Sequence, residues 1–494
     1  MWGISVLPLA LALPCANAIT LHKRHDPAVF QLPIARSDRP QTLQKRSSKV
    51  ASTALYNVQN MYYMVNITVG TPAQNLSLSL DTGSTDIWVN IPNSTYCAAD
   101  DDPCSSTGLF NLEDSSTFKM LDYEMNATYA SGFLAAGHYA TDTLVIGGAK
   151  VKDMEFAVAE KSLNPHGILG IGYAANAYAA THLRKEYASL PEALVKSGAI
   201  KSAAYSLWLN EFDGTGNLLF GGVNKARYQG DLQTVPVIPI RDNYYSLSIA
   251  LTDISVKNTK GTKSFATGLP LAVTLDNGSP FIVLPKEVVD PVYKEVGGGY
   301  SSTVGAAYIP CDMYTEDYNV TFSFSGAKVT IPISNLIWEN TAYDGFPKDT
   351  CIFGLSYGEP GVSLMGDTFL RSAYVVYDLA NNEISLANTN YDGGDDDIHE
   401  IGTGTDAVPG ATLMPSAVTS ATGLDPSATV VSSGSLGSEP TGTTVYVTGT
   451  STATGAANSG GASSTTSTGM AAMPTSKPNH LLPGILGAGL LLAL

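Results

Sequence analysis

One short pattern occurs twice in this chain, and it constrains the fold more than any other feature. In the first copy the alternating run Tyr63-Met64-Val65-Asn66-Ile67-Thr68-Val69 leads to Leu80-Asp81-Thr82-Gly83-Ser84 and then Ile87-Trp88-Val89, with Ile168-Leu169-Gly170 about ninety residues after Asp81. In the second, Tyr245-Ser246-Leu247-Ser248-Ile249 leads to Leu275-Asp276-Asn277-Gly278-Ser279 and then Ile282-Val283-Leu284, with Leu364-Met365-Gly366 about ninety residues after Asp276. A single Asp-x-Gly-Ser carries little weight, because Asp and Gly are common turn residues. Asn277-Gly278 taken alone is a hairpin-turn dipeptide. The same element at the same place in two matching halves argues instead for a duplicated unit.

Between Tyr62 and Ala387 the sequence consists of short alternating or β-branched runs broken by Gly, Asn, Asp and Pro, and the clearest helix is expected over 187–198, closed by Gly198. The class is therefore mainly β. Two related β-rich lobes are expected, with the active site in the cleft between them.

Two carboxylates brought together across such a repeat cannot both ionise easily, so they share one proton and titrate as a pair. The ionised member can take a proton from water while the protonated member polarises a carbonyl. Asp81 and Asp276 are the expected catalytic pair, Gly83 and Gly278 permit close backbone approach behind each carboxylate, and Ser84 and Ser279 offer a hydroxyl to hold one. This chemistry needs no nucleophilic Ser or Cys, no metal and no cofactor.

On these residues, 62–390 resembles a pepsin-type aspartic peptidase with a bilobal pepsin-like fold, and the ends of the chain resemble the fungal yapsin-type branch. Asp81-Thr82-Gly83-Ser84-Thr85-Asp86-Ile87-Trp88-Val89 is similar to the family's first active-site loop. Gly366-Asp367-Thr368-Phe369-Leu370-Arg371, with Tyr377-Asp378 and Asn381-Asn382 after it, is similar to its C-terminal signature. The resemblance implies an aspartic endopeptidase acting on protein or peptide substrates at acidic pH, with Thr82 and Asn277 among the loop-supporting residues. It also implies a flap carrying Tyr129, Ser131 and Gly132, braced by Trp88. A preference for basic residues is implied too, and Asp100-Asp101-Asp102 would attract them. Four positions depart from the pattern: Asn277 stands where the family has Thr or Ser, Pro280 where a hydroxyl residue is usual, Ala130 for a flap glycine, and His166 where Asp is usual. The first three departures motivate a rival reading, a non-catalytic pepsin-like wall glycoprotein that binds peptides or partners through the cleft. A second rival is a structural adhesin.

The ends of the chain differ from its middle. Residues 1–18 read as a signal peptide and 19–46 as a propeptide freed by a processing protease at Lys45-Arg46. The peptidase domain is expected over 47–391, with an N-lobe at about 47–225 and a C-lobe at about 226–391. The leader carries six Lys/Arg against two Asp, so the remainder bears −21 where the whole chain bears −17. Such an acidic body argues against nucleic acid as a partner and suits an acidic workplace. Once Cys15 leaves with the signal, four cysteines allow three connectivities. Local pairing, Cys97 with Cys104 and Cys311 with Cys351, is the simplest. Asn66, Asn75, Asn93, Asn126 and Asn319 are glycosylation sequons. Residues 392–469 read as a Ser/Thr/Gly-rich stalk, and 470–494 as a GPI-attachment signal with Ser467, Thr468 and Gly469 as candidate sites before it. The final apolar run, 481–494, is shorter than the roughly 20 residues of a membrane span. A monomer held by a lipid anchor at the cell surface, on plasma membrane or wall, is the expected end state.

Overall fold

The computed structural model describes residues 29–36, 62–99, 102–129, 134–211, 216–240, 242–338, 345–358 and 361–424. Strands dominate, and the sequence repeat becomes a repeat of topology. In the first half, Gln74–Asp81 pairs in parallel with Ile168–Gly170, which pairs antiparallel with Ile87–Asn90. In the second, Leu271–Leu275 pairs in parallel with Leu364–Met365, which pairs antiparallel with Ile282–Leu284. Each aspartate thus leaves the end of a buried strand, and the return strand comes back beside it. In Gln74–Asp81 the buried Leu76, Leu78 and Leu80 alternate with serines, whereas Leu271–Leu275 and Ile282–Leu284 are short runs buried throughout.

Among the described residues a fourteen-stranded sheet joins the halves. It runs from Tyr228–Pro236 through Glu383–Thr389, Ala373–Asp378, Ala204–Trp208 and Gly216–Phe220 to the strands of the first lobe. The strand Phe30–Arg36, from the stretch that reads as propeptide, lies between Gly216–Phe220 and Tyr63–Val69. The second lobe adds sheets of five, four and three strands. One hydrophobic core runs through both halves, from Val65 and Leu78 to Val273, Ile331 and Leu386. The disulfides Cys97–Cys104 and Cys311–Cys351 close local loops. Asn66, Asn75 and Asn93 are exposed, while Asn126 and Asn319 are half-buried on strands. The signal peptide, Lys45-Arg46 and the GPI candidates lie outside the described residues.

Three features differ from the sequence reading. The helix expected over 187–198 spans Leu190–Lys196, because Ser189 takes the N-cap position and its N–H donates to Glu192 Oε2 at 3.0 Å. A longer helix, Lys286–Val296, buries Val288, Val289, Val292, Tyr293 and Val296 and ends at Gly297, whose φ is +70°. Its interior Pro291 masks the periodicity. The third is a correction: the folded body passes the expected boundary at 391 and reaches residue 424. Ile398–Glu400 pairs with Gly222–Asn224, and Ala411–Leu413 extends the large sheet beside Tyr228–Pro236. Ile401 and Val408 complete an apolar cluster with Trp208, Val223, Tyr228 and Tyr374, and Arg227 binds Asp396 at 2.6 Å. Its composition resembles a linker because the segment docks through backbone pairing and two apolar anchors, and so needs no periodic apolar face of its own.

Candidate active site

The turns that follow the two aspartate-bearing strands meet face to face. Asp81 and Asp276 are both fully buried, and their carboxyls come within hydrogen-bonding reach of each other. A Cβ on Gly83 would sit 2.6 Å from the Asp276 carboxyl carbon, so the approach of the lobes requires glycine there.

Hydrogen bonds hold the turns together across the repeat. Thr82 Oγ1 donates to Leu275 O at 2.9 Å and accepts from Asn277 N at 3.0 Å. From the opposite side Asn277 Oδ1 accepts from Thr82 N at 2.9 Å, and Nδ2 donates to Leu80 O at 3.0 Å. The amide therefore divides between two atoms the roles that one hydroxyl performs in Thr82. It fits because its two ends reach the same backbone groups, and the departure at 277 leaves the cross-lobe bonding complete.

The carboxylates are held unequally. Asp81 Oδ1 accepts from Gly83 N at 2.8 Å, and Oδ2 accepts a short bond from Ser84 Oγ. Asp276 Oδ1 accepts from Gly278 N at 2.8 Å, but Ser279 directs its hydroxyl to Phe281 O at 3.4 Å. Burial pushes both carboxyls above the usual carboxylate range. For Asp81 the bonds from Ser84 and Gly83 pull back. For Asp276 the charge of Asp81 adds to burial, and buried Asp367 adds further. The two hydrogen bonds to Asp81 favour its charged form more than the single backbone bond favours that of Asp276.

Above the pair, Tyr129 is buried, and its Oη accepts from Trp88 Nε1 at 2.8 Å. It ends a hairpin arm built from Lys119–Thr128 and Leu134–Ile146. Ser131 and Gly132 lie outside the described residues, as do Ala130, Asp100 and Asp101. His166 is buried against Tyr62, and burial lowers it to about 4.

Asp86 belongs to the first loop motif, but sequence reasoning assigns it no role. Its buried carboxylate accepts from Tyr139 Oη at 2.6 Å, Tyr187 Oη at 2.7 Å and Tyr178 N at 2.7 Å. It thereby ties the hairpin that carries Tyr139 and the helix Tyr178–Leu183 to the loop that holds Asp81. An acidic residue immediately before the apolar run Ile87-Trp88-Val89 is the signal that points to it. Asp367, in the C-terminal signature, is a second such residue. Its N–H donates to Ser279 O at 2.8 Å, so the short helix Asp367–Leu370 braces the second loop.

Comparisons agree with this geometry. The family model described as eukaryotic aspartyl protease matches residues 62–389. The probable aspartic-type endopeptidase opsB of Aspergillus oryzae is 41% identical over 99% of this chain and 98% of its own length. The probable aspartic-type endopeptidase OPSB of Trichophyton verrucosum is 38% identical, covering 84% of this chain and 88% of its own. The aspartic proteinase yapsin-3 of Saccharomyces cerevisiae is 33% identical over 76% of this chain and 74% of its own.

Proposed function

Because the chain belongs to the eukaryotic aspartyl protease family, we propose that this aspartic-type endopeptidase hydrolyses peptide bonds at acidic pH with Asp81 as general base and Asp276 as general acid. Ionised Asp81 takes a proton from a water held between the carboxyls, and that water attacks the scissile carbonyl carbon. Protonated Asp276 donates to the carbonyl oxygen, and the resulting tetrahedral intermediate collapses as a proton reaches the leaving nitrogen. Tyr129, braced by Trp88, closes over the peptide. The observation that carries this reading is the unequal bonding of two buried, facing carboxyls, which separates an acid from a base.

The intact cross-lobe bonds of Asn277 support catalysis over a peptide-binding scaffold. The chain's other expected parts belong to the same proposal: a signal peptide, a leader removed at Lys45-Arg46, glycans on the surface sequons, a lipid anchor at the cell surface, and a leaning toward basic residues. Among the described residues no helix is long and apolar enough to cross a membrane. The deciding experiment assays the processed chain against a peptide library from about pH 3 to 8, with and without a transition-state analogue. Cleavage confined to the acid range and blocked by the analogue is expected. A stable protein without cleavage at any pH would leave the scaffold reading.

A further inference from the structure

Asn277-Gly278-Ser279 is itself a glycosylation sequon, which brings the number in the chain to six. The other five asparagines lie on exposed or half-buried surface; Asn277 is 1% exposed, at the junction of the two lobes. Its Nδ2, the atom a glycan would occupy, donates to Leu80 O at 3.0 Å, and its Oδ1 is taken by Thr82 N. A sugar there would stand where the lobes meet.

Burial in the finished fold gives no protection, because glycosylation acts on the chain before it is folded. Leu80 and Thr82 lie almost two hundred residues upstream, so Asn277 is shielded only when the second lobe docks on the first. Protection has to be written into the sequence, and the next residue is Pro280. The residues following the other five sequons are Val69, Leu78, Tyr96, Tyr129 and Phe322. The one sequon that must stay empty is the one followed by proline.

The chemistry explains why that position matters. Transfer forms a bond from the Asn Nδ2 to the anomeric carbon of a lipid-linked oligosaccharide, releases the lipid pyrophosphate and loses one amide proton. It requires the hydroxyl two residues on to fold back toward the amide. A following proline confines that hydroxyl residue to extended backbone and so opposes the folded-back geometry. In the fold the buried Pro280 accepts through its carbonyl from Thr368 Oγ1 at 2.7 Å and Thr368 N at 3.0 Å, bonds that any residue at 280 would provide.

We propose that Pro280 silences a glycosylation site at Asn277 whose occupation would keep the two lobes from joining. Two departures from the repeat, asparagine at 277 and proline at 280, thereby become one device: the first creates the hazard and the second removes it. The inference rests on the proposed passage through the secretory pathway.

The test expresses the full chain in a eukaryotic secretory host and reads occupancy at each sequon by mass spectrometry of total cellular and secreted protein, so that misfolded chains are counted. In the parent chain the surface sequons carry glycan and Asn277 carries none. Pro280→Thr is expected to gain glycan at Asn277 and lose secretion. The double variant Asn277→Thr with Pro280→Thr, which rebuilds the Asp-Thr-Gly-Ser-Thr of the first lobe, is expected to recover secretion. An unoccupied Asn277 in Pro280→Thr, with other sequons glycosylated, overturns the proposal. So does occupancy at Asn277 in the parent chain, or a double variant whose secretion stays lost. Absence of glycan from every sequon overturns the secretory reading and this inference together, and that pattern differs from failure at Asn277 alone.

Discussion

Asp81 sits in a cradle of Gly83 N and Ser84 Oγ, whereas Asp276 keeps Gly278 N alone because Ser279 turns its hydroxyl to Phe281 O. The two turns have the same length, the same flanking strand pairings and nearly the same sequence, yet one gives its carboxyl a backbone and a side-chain hydrogen bond and the other a backbone bond alone. A duplicated fold supplies the facing geometry, and unequal hydrogen bonding makes two like groups inequivalent, which is what the proposed division into a base and an acid rests on. The comparison also separates two kinds of asymmetry. At 277 the side chain differs while the bonding is preserved; at 279 the side chain is the same while the bonding differs.

The largest expected effect comes from neutralising either carboxyl. Asp81→Asn and Asp276→Asn should each lower kcat by about a thousandfold or more, the scale of lost general acid/base catalysis. A stability control distinguishes this from unfolding. Both folded-state carboxyls titrate above their unfolded values, so their stabilising protonation is complete below the unfolded pKa and is lost as pH rises through the folded one. Removing the charge should therefore make each variant at least as resistant to heat as the parent at neutral pH. A variant inactive and also less stable at pH 7 would break the assignment.

The next effect tests the preserved bonding. Asn277→Ala strands Thr82 N and Leu80 O in the buried junction and should cost about 2–4 kcal/mol in denaturant unfolding, one penalty of roughly 1–2 kcal/mol for each group left unpaired. Asn277→Thr should recover most of that loss, because a hydroxyl serves both groups in the mirror position at Thr82. Equal losses in the two variants would mean that the amide has some further role.

How much of this is legible in the sequence follows from what each feature depends on. Asp81 and Asp276 can be read because the repeat places them, and their strands can be read from the Leu/Ser alternation that ends at Leu80 and the short β-branched and apolar segment that ends at Leu275. The second lobe's long helix is obscured by Pro291. The strap over 392–424 reads as linker because backbone pairing leaves almost no side-chain signature beyond Ile401 and Val408. Asp86 lies in plain view, but the partners that give it meaning, Tyr139, Tyr178 and Tyr187, are between 53 and 101 residues away. The turned hydroxyl of Ser279 is not legible at all: Ser84 and Ser279 are the same residue in the same motif, and only the folded loops distinguish them.

That last difference carries the smallest and most discriminating effect. Ser84 Oγ donates to the Asp81 carboxylate, so Ser84→Ala removes a hydrogen bond to a charged group, worth about 1.5–3 kcal/mol. That bond weakens as Asp81 takes up a proton, so its loss falls on the free enzyme at least as much as on the transition state, and kcat/KM at the optimum should change by less than about tenfold. The pH profile then reports which carboxyl was touched. A bond to the ionised form lowers that group's pKa, so its loss raises the Asp81 pKa, and the acid limb of the kcat/KM profile should move to higher pH and narrow the bell from that side. Ser279→Ala removes only a long bond to a backbone carbonyl, and should change kcat/KM by no more than about twofold while leaving both limbs in place. The two profiles, measured side by side on proteins of matched stability, decide the matter. Equal acid-limb shifts in both variants would show that Ser279 swings back to Asp276 when substrate is bound, and that the inequality of the two turns belongs to the free enzyme alone.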